Sequence, residues 1–127
     1  MPIHRLYVCT TCVRDRRLGP GERSQGARLC DAVEQVLGAA ALDGEYDLLR
    51  VPCLNGCLRA CNVALRAPGK FNLRFSRITA LDALDVVRML ATYLEDPLGD
   101  PPDPAWPAGL RGKLTVHTAP PHLLLQR

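Results

Sequence analysis

Residues 51–65 read VPCLNGCLRACNVAL and carry three cysteines at intervals of four, Cys53, Cys57 and Cys61. On a helix that spacing would line three thiols along one face. The flanking residues argue for a loop instead. YDLLRV, residues 46–51, reads as a strand that ends at Pro52, and NVALRA, residues 62–67, alternates Val63 and Leu65 against Asn62, Ala64 and Arg66 as a second strand does. Between them, Asn55-Gly56 lets the backbone turn tightly, so that N–H groups can point at sulfur. Cys53 and Cys57 then form a C-x3-C pair where one strand ends, and Cys61 lies just ahead of the next.

Toward the N-terminus, HRLYVC (residues 4–9) alternates Leu6 and Val8 against Arg5 and Tyr7, a strand pattern that ends in Cys9, with Cys12 completing a C-x2-C pair. A polar loop containing Gly and Pro follows. Ser24 is the expected N-cap of a helix reaching about Ala41, with an apolar face of Leu29, Val33, Val36, Leu37 and Ala40. Cys30 flanks that face and reads as a core residue. Toward the C-terminus, APGK (residues 67–70) suits a type II turn, with Pro68 and Gly69 in the central positions. FNLRFSRI then puts Phe71, Leu73 and Phe75 on one face, closing a hairpin. Thr79 and Asp82 form a capping box for a second helix whose expected buried stripe is Leu84, Val87, Ala91 and Leu94, and which stops before Pro97.

The element order is therefore β-α-β, cysteine run, β-β-α, an α/β fold over residues 1–95. Residues 96–127 differ in composition. Seven of the eleven prolines fall there, so an extended tail is expected, with KLTVHT as a short added strand, Trp106 as an anchor, and HLLL docking on the body or on a partner.

In a β-α-β unit with adjacent parallel strands, both strands end on the same side of the sheet. The pairs Cys9/Cys12 and Cys53/Cys57 are thereby brought to face each other, and four converging thiols make a metal site. Four thiolates suit zinc or an iron–sulfur cluster equally well by softness. Two chelating pairs on separate loops suit a [2Fe–2S] core, one pair per iron. The cluster is anionic and calls for nearby cations. Arg59 lies between Cys57 and Cys61, and Arg14, Arg16 and Arg17 follow Cys12. His4, His117 and His122 are scattered and lack the local pairing with cysteine that a Rieske site needs.

The strand–cysteine pair–helix–strand–C-x3-C–hairpin–helix order, with PCLNGC followed by NVAL, resembles the thioredoxin-like [2Fe-2S] ferredoxins, a module also found in a peripheral subunit of respiratory complex I. LYVCTTC, VPCLNGCLRACNVALRAPGKF and LRGKL together resemble a bacterial family of small predicted metal-binding proteins of unknown function. The resemblance implies a thioredoxin-like β-α-β-β-β-α fold with a mixed sheet, and a [2Fe–2S] electron carrier that forms a homodimer. Some members of the second family are associated with cobalt and corrinoid metabolism, and the resemblance implies a link to that chemistry. The resemblance carries the ligand role to Cys9, Cys12, Cys53 and Cys57. The first pair is closer-spaced here than in those ferredoxins, and Cys61 stands where relatives have another residue. Cys61 is either a further thiol beside the cluster or a ligand in place of Cys12.

Two rival functions use the same residues. Zinc binding or metal delivery needs only the four sulfurs. A thiol–disulfide oxidoreductase would use Cys9 and Cys12, because CTTC follows the first strand where a redox C-x-x-C belongs. A dozen residues, however, separate Cys12 from the helix whose dipole would activate it, and the cysteines at 53, 57 and 61 would have no task.

The bulk composition fits these readings. A chain of 127 residues is one ordinary domain, and 47% hydrophobic residues suffice to fold it. Six cysteines in a reducing compartment point to metal or redox work rather than disulfides. The expected setting is cytoplasmic, since MPIHRLYVC has no signal-peptide form and no apolar run approaches the ~18 residues of a membrane span. The net charge of +3 comes from fourteen arginines and two lysines. This is either a compositional bias or a set of guanidinium forks suited to carboxylate or phosphate. No aromatic interleaving or known motif suggests nucleic acid. The expected partner is a redox protein with an acidic surface.

Overall fold

The computed structural model describes residues 4–9, 24–40, 46–51 and 61–120. Strand β1 (His4–Cys9) is followed by helix α1 (Gln25–Ala40) and strand β2 (Tyr46–Val51). Strands β3 (Val63–Arg66) and β4 (Asn72–Phe75) form the hairpin. A 3-10 turn, Ala80–Asp82, leads into helix α2 (Ala83–Glu95), and β5 (Leu114–Thr118) ends the described chain.

The five strands lie in the order β2-β1-β3-β4-β5. β1 and β2 are parallel and every other pairing is antiparallel, so the sheet is mixed as expected. Register places Leu6 beside Leu48 and Leu65, Leu65 beside Leu73, and Val63 beside Val8 and Phe75. Paired residues share a face, so Leu6, Val8, Val63, Leu65, Leu73 and Phe75 form one apolar surface, and each is almost wholly buried. The helices cover this face. Arg50, paired with Val8, reaches Asp31 and Glu34 of α1, and His4 meets the Tyr93 ring of α2 edge-on at 6.1 Å. Burying each large apolar side chain contributes roughly 1.5–3 kcal/mol, so this layer is the main driving force of the fold.

Local signals correspond closely. Lys70 N–H donates to Ala67 O at 3.2 Å and Gly69 has φ 76°, the geometry a type II turn needs. Thr79 N–H donates to the Asp82 carboxylate at 2.9 Å, closing the capping box. In α1, Leu29, Cys30, Val33 and Leu37 are buried.

The expected stripe of α2 is corrected by the structure. Ala83, Val86, Val87, Met89, Leu90 and Tyr93 are buried, Ala91 and Leu94 are half-buried, and Leu84 is 48% exposed. The helix sequence ALDVVRMLATYLE is apolar around most of its circumference, so two helical stripes fit it. The larger Met89 and Tyr93 take the inner one.

The proline-rich segment turns back along the body. Two 3-10 turns, Asp103–Ala105 and Ala108–Leu110, carry it there. Trp106 stacks edge-on against Phe75 at 5.6 Å and donates its indole N–H to Pro101 O, the anchor role expected of it. Leu110 is fully buried, and KLTVHT supplies β5. HLLL lies outside the described residues.

Candidate metal centre at one end of the sheet

Cys9 is the last residue of β1, and its register partner is Val51, the last residue of β2. β1 and β2 therefore end side by side. In sheets with parallel strands, ligands gather outside these carboxyl ends. Cys12, Cys53, Cys57 and Arg59 lie outside the described residues. Among the described residues no group of three or more His, Cys, Asp or Glu gathers around a common point.

Cys61 returns to the same end. Cys9 N–H donates to Asn62 O at 3.2 Å, one step beyond the last β1–β3 pair, and Ile78 N–H donates to Cys61 O at 3.0 Å. Both thiols are 1% exposed. Cys30, six residues into α1, is also buried and packs in the core, the role its sequence position suggests.

Both helices begin at this end, because each follows or precedes a strand terminating there. Ser24 Oγ accepts the Ala27 N–H at 3.0 Å, as expected of the α1 N-cap, and no carboxylate sits in the first turn of α1. The Ala80–Asp82 turn and α1 are in contact. Two helix N-termini bring their positive dipole ends to the end where the thiols leave the sheet, which favours anionic sulfur there. Two carboxylates stand at the start of α2 and both are engaged: Asp85 accepts the Gly109 N–H at 3.2 Å, and Asp82 closes the cap. Burial works to raise its pKa, but the Thr79 N–H and the Lys113 ammonium at 3.1 Å outweigh burial and hold it below the ordinary carboxylate value.

A polar chain also ends here. Ser76 Oγ donates to Asn62 Oδ1 at 2.6 Å and meets Thr115 Oγ1 at 2.8 Å, tying β3, β4 and β5 together. Asn62 and Ser76 are 0% and 1% exposed. The strand alternation sets Asn62 opposite Val63 and Leu65 and does not mark it as buried. No local signal marks it, and its buried amide is satisfied by Ser76, a residue at another strand's end. Leu81, at the start of the second helix, is 96% exposed, which no local pattern signals.

Comparison with known proteins bears on the fold and the family. A solved thioredoxin-like [2Fe-2S] ferredoxin from Aquifex aeolicus superposes with a TM-score of 0.57 at 15% identity, covering 95% of this chain and 97% of the other. A second structure, the wild-type form of a thioredoxin-like [2Fe-2S] ferredoxin from Aquifex aeolicus, gives 0.49 at 14% identity over 75% and 88%. At the first of these levels the fold is shared, and the chain has the thioredoxin-like α/β architecture. No curated protein matches the sequence significantly. The family described as protein of unknown function (DUF1636) matches residues 6–121, and the chain belongs to that family.

Proposed function

We propose that this chain is a one-electron carrier that binds a [2Fe–2S] cluster through Cys9, Cys12, Cys53 and Cys57. The observation that carries the reading is the β1–β2 register, which pairs Cys9 with Val51 and so starts both cysteine-bearing segments from one point. The donor set fits the group, since four thiolates in two chelating pairs match two irons. The helix N-termini at that end would offset the charge of an anionic cluster. When bound, the cluster supplies storage of a single electron.

The chain's own residues have the remaining tasks. Cys9 is held by its backbone bond to Asn62, which fixes the first ligand to the sheet rather than to a loop. The Asn62–Ser76–Thr115 chain braces β3 and β4 beside it. Arg59 is proposed as a cation at the cluster rim. No general acid or base is required, because outer-sphere transfer breaks no bond in the protein. We further infer a cytoplasmic homodimer working with an acidic redox partner. Among the described residues no helix is long and apolar enough to cross a membrane.

The test is metal content and colour after anaerobic purification. The reading predicts a red-brown protein with iron and acid-labile sulfide in equal amounts. Colourless protein carrying zinc would transfer the same cysteines to a zinc-binding role. Metal-free protein with disulfide reductase activity would favour thiol exchange at Cys9 and Cys12.

A further inference from the structure

Among the described residues three large hydrophobic side chains are strongly exposed: Leu81, Leu84 and Leu98. Two of them stand together at the end of the sheet that carries the thiols. Leu81 is 96% exposed and Leu84, three residues on and therefore on the same helical face, is 48% exposed. A cleft lined by Gln25, Arg28, Ile78, Thr79, Ala80 and Leu81 opens beside them, between the first turn of α1 and the turn that starts α2. It lies close to the cysteines, because Ile78 N–H is bonded to Cys61 O.

Arg28 lines this cleft, Arg77 directly precedes Ile78, and Arg88 stands one helical turn beyond Leu84, where it pairs with Asp85. Arg28, Arg77 and Arg88 are exposed. Arg77 is held at φ 60°, a left-handed conformation uncommon for a long side chain, and its carbonyl accepts Lys113 Nζ at 3.2 Å. The carboxylates nearby are engaged within the fold. Asp82 pairs with Lys113, and Asp85 accepts the Gly109 N–H at 3.2 Å and faces Arg88 at 3.8 Å. An apolar centre with more basic than acidic side chains near it has the form of a docking site in which desolvated side chains hold the partner and charge selects it.

We propose that Leu81 and Leu84, with the cleft beside them, dock an acidic protein segment that presents an apolar side chain, and that this segment belongs to the redox partner. The second clause rests on the electron-carrier reading; the docking surface does not. Binding here brings the partner to the thiol end of the sheet.

The test uses the full chain as purified, with iron content measured alongside, and fluorescein-labelled hexapeptides as probes. EELLEE should bind, EEGGEE and KKLLKK should bind at least about tenfold more weakly, and added salt should weaken EELLEE. Leu81→Ser and Arg28→Glu should each lower the affinity for EELLEE about tenfold and leave iron content unchanged. The proposal is overturned if EELLEE does not bind, if KKLLKK binds equally, or if Leu81→Ser has no effect. It is also overturned if deleting residues 121–127 raises the affinity, because the chain's own C-terminal leucines would then be the occupant. Peptide binding at this patch by a chain that takes up no iron would sink the electron-carrier reading and leave the docking surface standing. Iron uptake without peptide binding would do the reverse.

Discussion

The two ends of the sheet are built differently. At the hairpin end, the connection between β3 and β4 takes only a few residues and its polar groups are matched locally. Lys70 Nζ donates to Tyr93 O and Leu94 O, both at 3.1 Å, and so caps the carbonyls that close α2. Burial, opposed by Asp96, lowers the pKa of that lysine. Tyr93 OH donates to Phe71 O at 2.6 Å, and burial, the larger influence, raises its pKa and keeps it a donor. Phe71 stacks on His117 at 4.6 Å, and His117 meets Asp100 at 2.9 Å. At the thiol end, long connections follow β1 and β2, the chain returns beside Cys9 at Cys61 and Asn62, and two leucines face solvent. One end closes the fold, and the other is where chemistry and recognition are proposed to occur. Stability and function should accordingly separate when each end is altered.

The largest effects test that separation directly. Cys53→Ser should abolish the visible absorption of the cluster while the apoprotein keeps its far-UV circular dichroism. Tyr93→Ala should do the opposite. It should lower unfolding stability by about 3–5 kcal/mol in a denaturant titration, with the visible spectrum of the remaining folded protein unaltered. A Tyr93→Ala variant that folds normally but loses its cluster would break the comparison. Among ligand variants, Cys12→Ser should lose the cluster and Cys61→Ser should retain it; the reverse pattern would exchange their roles.

A smaller difference is expected within the hairpin end. Gly69 and Gly99 have φ of 76° and 66°. A Cβ at Gly69 would meet open space, whereas at Gly99 it would fall 2.4 Å from Tyr93 Cε2. Gly69→Ala should therefore lose only about 1 kcal/mol for backbone strain, and Gly99→Ala distinctly more, as read by thermal unfolding. Equal losses would mean that the Tyr93 ring yields readily.

A comparably small effect belongs to the helix cap at the thiol end. Asp82 has a lower pKa folded than its reference value of 3.8, so its stabilising contribution is complete above that pH and is lost as pH falls through the folded value. Asp82→Asn should reduce stability at neutral pH by about 1 kcal/mol and flatten the acid limb of the stability profile. An unchanged acid limb would assign that dependence to other carboxylates.

What the sequence made legible follows the range of the interactions. Strand alternation in HRLYVC and FNLRFSRI, the Pro68-Gly69 turn, and the Thr79/Asp82 box are set by neighbours within four residues, and each stands in the structure. The choice of buried stripe on α2 was not legible, since the helix is apolar on more than one face and its partners lie in distant segments. The path of residues 96–113 was partly hidden for the same reason: proline content marks an extended chain but does not say what it packs on, although Trp106 hinted at an anchor. At the candidate centre, the pairing of the ends of β1 and β2 followed from the β-α-β order. The burial of Asn62 and the exposure of Leu81 depend on tertiary neighbours that no local pattern encodes.

The most direct test of the central claim is electron paramagnetic resonance of the full chain, purified anaerobically and reduced with dithionite, beside an iron and sulfide assay. The account predicts the signal of a one-electron-reduced [2Fe–2S] cluster, two irons and two sulfides per chain, and loss of both in Cys9→Ser. A chain that gives no signal and holds zinc at these cysteines would contradict it.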